Sequence, residues 1–214
     1  GPAVFAEMVA AGVVPEAIIA TRSDEATMDL CESRGWTPSL VTTEVLLSAG
    51  DAEHPQSPVA VIRIPDGVAI RGRDTLILDD IADPGNVGTM IRSAAAFGWD
   101  VCISGSTADP WSPKVVRAGV GSHFGMYISS SNDPMADAHD MGLELVATVV
   151  AGGGDPVRGD RRIALLIGSE AHGLSEEDTA KADRTVTLSM PGEAESLNAA
   201  VAASILMYVL TRYR

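Results

Sequence analysis

The sequence predicts an α/β protein in which a mostly parallel sheet flanked by helices, over residues 75–214, follows a small α/β domain over residues 1–66. Three observations carry this. From Thr75 onward, short β-branched runs alternate with helix-patterned segments, the pattern of a parallel sheet covered on both faces. Before that point the rhythm changes, and the Pro65-Asp66-Gly67 turn with the polar Arg71-Gly72-Arg73 stretch marks a linker over 67–74. Finally, 46% of the 214 residues are hydrophobic, ample for a packed core. Even the apolar run 199–210, interrupted at Ser204, falls short of the roughly 20 residues that span a bilayer.

In the first part, helical patterning covers residues 4–11, 25–34 and 43–49, with strands at 17–21 and, by alternation, 59–64. In the second part, strands are expected at 75–78, 101–104, 143–149, 163–167 and 185–190. Helices between and after them are expected at 87–97, 113–120, 134–141, 176–182 and 196–213. The Ala151-Gly-Gly-Gly-Asp-Pro156 stretch reads as a mobile loop. In sheets of this kind ligands sit at the carboxyl ends of the strands, so the segments that follow strands are where chemistry is sought.

Composition narrows the classes. A formal charge of −14 argues against indiscriminate nucleic-acid binding, which depends on neutralising phosphates, but leaves room for a local basic surface. Arg63, Arg71, Arg73, Arg92, Lys114, Arg117, Arg158, Arg161 and Arg162 recur near the segments of interest. Cys31 and Cys102 sit in no CxxC or Cys/His cluster and read as reduced, packed thiols, which favours the cytoplasm. His54, His123, His139 and His172 lack ligand spacing, so no metal site is expected.

Three segments carry chemistry. The first, Leu76-Ile-Leu-Asp-Asp-Ile-Ala-Asp-Pro-Gly-Asn-Val-Gly-Thr-Met-Ile-Arg92, is a strand, an Asx-Pro-Gly turn and a helix, with Asn86 expected to cap the helix and Arg92 about two turns in. The second, Ile163-Ala-Leu-Leu-Ile-Gly-Ser-Glu-Ala-His-Gly-Leu-Ser175, runs a buried strand into Gly168, Glu170 and Gly173. Its glycines would let a ligand approach the backbone closely, and His172 reads as structural or exposed. The third, Leu188-Ser-Met-Pro-Gly-Glu-Ala-Glu195, leads into polar Ser196 and Asn198 at the head of an apolar helix, whose N–H groups attract electron-rich ligands. A nucleotide-binding α/β enzyme would share the sheet and the Gly-rich turns. Neither GxGxxG nor GxxxxGK[ST] is present to support it.

The ordered set N-x-x-G-x-x-R, I-G-S-E-x-x-G-L-S and L-S-M-x-G-x-x-E-S-L-N resembles the signature of the SpoU-type RNA 2′-O-ribose methyltransferases of the SPOUT superfamily. The resemblance spans roughly residues 59–214 and includes the linking segment Asp109-Pro-Trp-Ser-Pro-Lys-Val-Val-Arg-Ala-Gly-Val-Gly121. It implies a catalytic domain with a C-terminal trefoil knot, an exception to the rule against knotted chains, acting as a homodimer on RNA with S-adenosylmethionine as cofactor. It further implies a cofactor pocket of Gly168, Leu188, Met190 and Leu197, and a catalytic set of Asn86, Arg92, Glu170, Ser196 and Asn198. The first domain is similar to a ribosomal-protein (L30e-like) RNA-binding domain, expected to lack the start of its first helix. Ser189 stands where a proline is common.

Under this resemblance the reaction is methylation of a ribose 2′-hydroxyl, with ribosomal RNA as the leading substrate. Transfer RNA, or a catalytically silent RNA-binding role, is the alternative. A guanidinium holds its proton too tightly to serve as a base, so Arg92 is expected to stabilise alkoxide charge or grip a phosphate. Ser196 and Asn198 are expected to orient Arg92 or the ribose, and Glu170 to fix the arginine or Asn86.

Overall fold

The computed structural model describes residues 1–50, 55–65, 67, 69–192 and 196–212. The chain divides into two compact units, Gly1–Pro65 and Asp66–Arg214. His54 and residues 193–195 lie outside the described residues.

The first unit contains α1 (Pro2–Ala10), β1 (Ala17–Thr21), α2 (Glu25–Arg34), β2 (Ser39–Val41), α3 (Thr43–Ala49) and β3 (Val59–Val61). Central β1 pairs in parallel with β2 and antiparallel with β3. Asp24 caps α2 by accepting from the Thr27 N–H at 3.2 Å, and Gly35 ends it at φ 67°, a left-handed position that suits glycine. Phe5, Met8, Ile18, Cys31 and Leu46 form the buried core. Strand β2 escapes the sequence reading because three residues are too few for periodicity to register.

The second unit runs β4 (Thr75–Asp79), α4 (Pro84–Phe97), β5 (Asp100–Ser104), α5 (Pro113–Ala118), a 3-10 turn (Ser122–Gly125), β6 (Ile128–Ser130) and α6 (Pro134–Asp140). It continues with β7 (Glu144–Thr148), β8 (Ile163–Ile167), α7 (Glu176–Lys181), β9 (Arg184–Val186) and α8 (Ala199–Arg212). All six strands are parallel, in the order β6-β5-β4-β8-β7-β9. Alternate strand residues face opposite sides of the sheet. Leu76, Leu78, Leu165 and Ile167 pack with Met90 and Ile91 of α4 and Leu206, Met207 and Leu210 of α8. Ile77, Cys102, Leu145 and Leu166 pack on the other side with Ala138 of α6 and, at the margin, Leu174 and Ala182. Burial on both faces explains why β4 and β8 read as continuous apolar runs.

Three boundaries differ from the sequence reading in ways that matter for the site. Helix α4 begins at Pro84 because Asp83, not Asn86, is its cap: the Asp83 carboxylate accepts from the Asn86 N–H at 2.7 Å. Strand β9 ends at Val186, so Leu188 and Met190 leave the ladder. Helix α8 begins at Ala199, leaving Ser196 and Leu197 before it. The glycine stretch after β7 is also not a free loop. Gly154 N–H donates to the Thr185 carbonyl, Thr187 N–H to the Gly154 carbonyl, both at 3.0 Å, and Gly153 N–H to Thr187 Oγ1 at 2.9 Å.

Candidate active site

A cavity of about 1100 Å3 opens beyond the carboxyl ends of β4, β7, β8 and β9. It lies where strand order reverses, at β4 next to β8, the place where open α/β sheets bind ligands. Ile167, Val149, Leu188, Met190, Leu197 and Leu206 supply an apolar lining, with Asn86, Glu170, Ser196 and Asn198 as polar groups.

Three of those polar side chains form one chain of hydrogen bonds. Asn86 Nδ2 donates to Glu170 Oε1 at 2.9 Å, and Asn198 Nδ2 donates to Asn86 Oδ1 at 2.9 Å. Each amide is oriented by a second duty. Asn198 Oδ1 accepts from the N–H groups of Ala200 (2.9 Å) and Val201 (3.2 Å), capping α8, while its amino group turns toward Asn86. Asn86 is free for this role because Asp83 has taken over the cap of α4. Burial works against the charge on Glu170. The Asn86 amide and the backbone of Glu170 itself, Ala82 and Asp83 nevertheless hold its carboxyl below the usual range, so it is an acceptor at neutral pH.

Gly168 lines the cavity, and its missing side chain also serves the chain itself. A Cβ there would collide with the backbone of Gly173 and Leu174, which folds back as Gly173 N–H donates to the Ser169 carbonyl at 2.8 Å. The sequence reading assigned such close approach to a ligand; the turn of the chain accounts for it first. Ser196 and Leu197 line the cavity ahead of α8, and His172, exposed, lies along its wall.

Arg92 is placed differently. Six residues from Asn86 on a helix of 3.6 residues per turn, it lies about 120° round the axis. It shares a side with Gly88, is exposed, and does not line the cavity. The sequence reading also missed the wall made by Thr148 and Val149 at the end of β7. The rule that ligands sit at carboxyl ends of strands could have found it, but no motif marks those residues.

The charge of the cavity bears on its occupant. Its charged residues are Asp83 and Glu170, and among the described residues no Lys or Arg lines it. That suits an apolar, cationic ligand with hydrogen-bonding ends and disfavours the polyphosphate of a nucleotide triphosphate or dinucleotide. The residues present fit S-adenosylmethionine, a sulfonium.

A parallel α/β sheet with an acidic, amide-rimmed pocket at its switch point is the ligand-binding architecture of an open α/β domain. Residues 74–208 match the SpoU rRNA Methylase family. The chain is 31% identical, over 93% of its length and 81% of the relative's, to the 23S rRNA (guanosine(2553)-2′-O)-methyltransferase RlmP of Bacillus subtilis. It is 35% identical, over 80% of its length and 66% of the relative's, to the 23S rRNA (uridine(2479)-2′-O)-methyltransferase of Streptomyces viridochromogenes. The solved SpoU methyltransferase AviRb from S. viridochromogenes, in complex with AdoMet, superposes with a TM-score of 0.83 at 27% identity, covering 99% of this chain and 88% of that one. The AdoMet-bound rRNA methyltransferase of Sinorhizobium meliloti gives 0.80 at 27% identity, covering 100% and 85%. The chain belongs to the SpoU rRNA methylase family. It is an RNA methyltransferase with S-adenosylmethionine as its cofactor.

Proposed function

We propose that this protein methylates one ribose 2′-hydroxyl of 23S ribosomal RNA and does so as a homodimer in the cytoplasm. The observation that carries the reading is the Glu170–Asn86–Asn198 hydrogen-bond chain at the rim of a largely apolar cavity lined by no Lys or Arg among the described residues. The names of the Bacillus and Streptomyces relatives support the choice of RNA.

Gly168, Leu188, Met190 and Leu197 would hold S-adenosylmethionine against the sheet, and the cofactor supplies an electrophilic methyl group. The protein's own task is positioning, because methyl transfer from a sulfonium is intrinsically favourable. Glu170 fixes the Asn86 amide, Asn198 fixes it from the other side, and Ser196 offers a hydroxyl to the ribose. Arg92 stabilises the developing alkoxide or grips the adjacent phosphate through its planar donors. Because Arg92 does not line the cavity of its own chain, the dimer supplies it from the second copy. The exposed apolar stripe Val201, Ile205 and Tyr208 on α8, beside α4, supports dimerisation through this unit. The hydrogen bonding of residues 153–154 to β9, followed by the return of the chain to α8 on α4, supports a knotted C-terminal region. The Gly1–Pro65 unit serves as an L30e-like RNA-recognition domain, needed because every nucleotide carries a 2′-hydroxyl.

The test is transfer of labelled methyl from S-adenosylmethionine to 23S rRNA and to bulk transfer RNA by the wild type, Arg92→Ala and Asn198→Ala. The expected result is label at one 23S nucleotide that resists alkaline cleavage, reduced about 100-fold or more by Arg92→Ala. Label confined to transfer RNA would overturn the substrate, and no label in either RNA would overturn the activity.

A further inference from the structure

Among the described residues of the Asp66–Arg214 unit, six cations pair with carboxylates. Arg92 of α4 and Lys114 and Arg117 of α5 are exposed, and they form no ion pair or side-chain hydrogen bond with any described residue. Their surroundings are free of countercharge along the chain. A protein with 29 Asp and Glu residues has none at 84–99 or at 110–132, the stretches that hold α4, α5 and the 3-10 turn. Asp109, the nearest acid to α5 in sequence, accepts from the Trp111 N–H at 2.9 Å. Lys114 and Arg117 are three residues apart and therefore share a helix face, away from buried Val115.

The island is also rigidly placed. A Cβ on Gly88 of α4 would lie 2.5 Å from Ala118 Cβ and 2.6 Å from the Val115 carbonyl, so α5 sits directly on the backbone of α4 two residues along the helix from Asn86. The spacing between the helix that carries the two cations and the helix that carries Asn86, the middle of the Glu170–Asn86–Asn198 chain, is thus set by backbone contact.

We infer that Lys114 and Arg117 are a phosphodiester clamp that holds the RNA strand beside the active site, making an otherwise acidic protein attractive to RNA only there. This rests on the proposed function, since it names how that substrate is gripped. Neither residue touches the reacting atoms, and both act on the bound position of the strand. An acidic surface on a second copy of this chain is the competing occupant.

The test uses the full chain with in vitro transcribed 23S rRNA, comparing wild type with Lys114→Ala/Arg117→Ala and with the charge-keeping Lys114→Arg/Arg117→Lys. The alanine pair should raise Kd and KM for the RNA about 10-fold and flatten the slope of log K against log salt by about 1.4, two phosphate contacts on a single strand. Affinity for S-adenosylmethionine and kcat at saturating RNA should stay within about twofold, and the charge-keeping pair should bind RNA like the wild type. Unchanged KM and salt slope in the alanine pair would overturn the clamp while leaving the methyltransferase reading intact. Dissociation of a dimer without loss of RNA affinity would overturn it in favour of the second copy. Weakened RNA binding in a protein whose wild type transfers no methyl would uphold the clamp and overturn the activity.

Discussion

Asn86 illustrates how one residue's function depends on its neighbour's. Its side chain donates to Glu170 and accepts from Asn198, a pair of demands that an aspartate could not meet because it lacks the donor. The segment that carries Asn86 is legible in the sequence, but its duty is not. An Asn after a Pro-Gly turn reads as a cap, and only the fold reveals that Asp83 has that role. His123 is the opposite case: no pattern marks it, and the fold buries it at 1% exposure beside Trp111. Burial pushes its pKa down to about 4, against a smaller pull from the backbone of Pro110. A histidine that titrates at 6.5 when unfolded and about 4 when folded makes the unfolded chain bind more protons between those values. Stability is therefore fully present above 6.5 and declines as pH falls toward 4, by roughly 3 kcal/mol from this group. His123→Leu should flatten the wild type's decline in urea midpoint over that window; parallel curves for the two proteins would refute it.

At the scale of elements, the contact between α4 and α5 is a tight constraint near the site. Gly88 has backbone and side-chain atoms of Val115, Ala118 and Gly119 within 2.8 Å of where a Cβ would be. Gly88→Ala should cost roughly 1–3 kcal/mol by overpacking, read from the denaturant midpoint. Methyl transfer should fall more than stability alone explains, since α5 and Asn86 share that helix. A variant as stable as wild type would refute the contact. The strands β4, β5, β7 and β8 were legible because burial on both faces leaves long apolar runs, and the helices because their apolar stripes repeat. The three-residue strands β2 and β6 were not. β6, Ile-Ser-Ser, holds its place through pairing with β5 rather than through any pattern of its own. The polar positions of the site became legible only as an ordered set of three segments, because each alone is compatible with an ordinary cap or turn.

For the whole molecule, the surface divides into regions of different character. Helix α8 exposes Val201, Ile205 and Tyr208 at 45%, 38% and 45%, a spacing of four and three residues that puts them on one side. Val201→Glu/Ile205→Glu should convert the proposed dimer to monomer in sedimentation while S-adenosylmethionine still binds. Methyl transfer should fall with it, because Arg92 would no longer reach the second copy's cavity, and a fully active monomer would refute shared sites. The surface character of either unit could not be read from periodicity at all, since periodicity reports core patterns. The connection between β7 and β8 has a further consequence. Val149 N–H donates to the Val186 carbonyl, Gly153 and Gly154 are tied to Thr187 and Thr185, and Arg158, almost fully buried, binds Asp74 and the Leu210 carbonyl. Gly153 would, with any side chain, press on the backbone of Val186. Val149, where this connection lines the cavity, is therefore hydrogen-bonded into the sheet, and that wall is cast with the core, a mould rather than a hand.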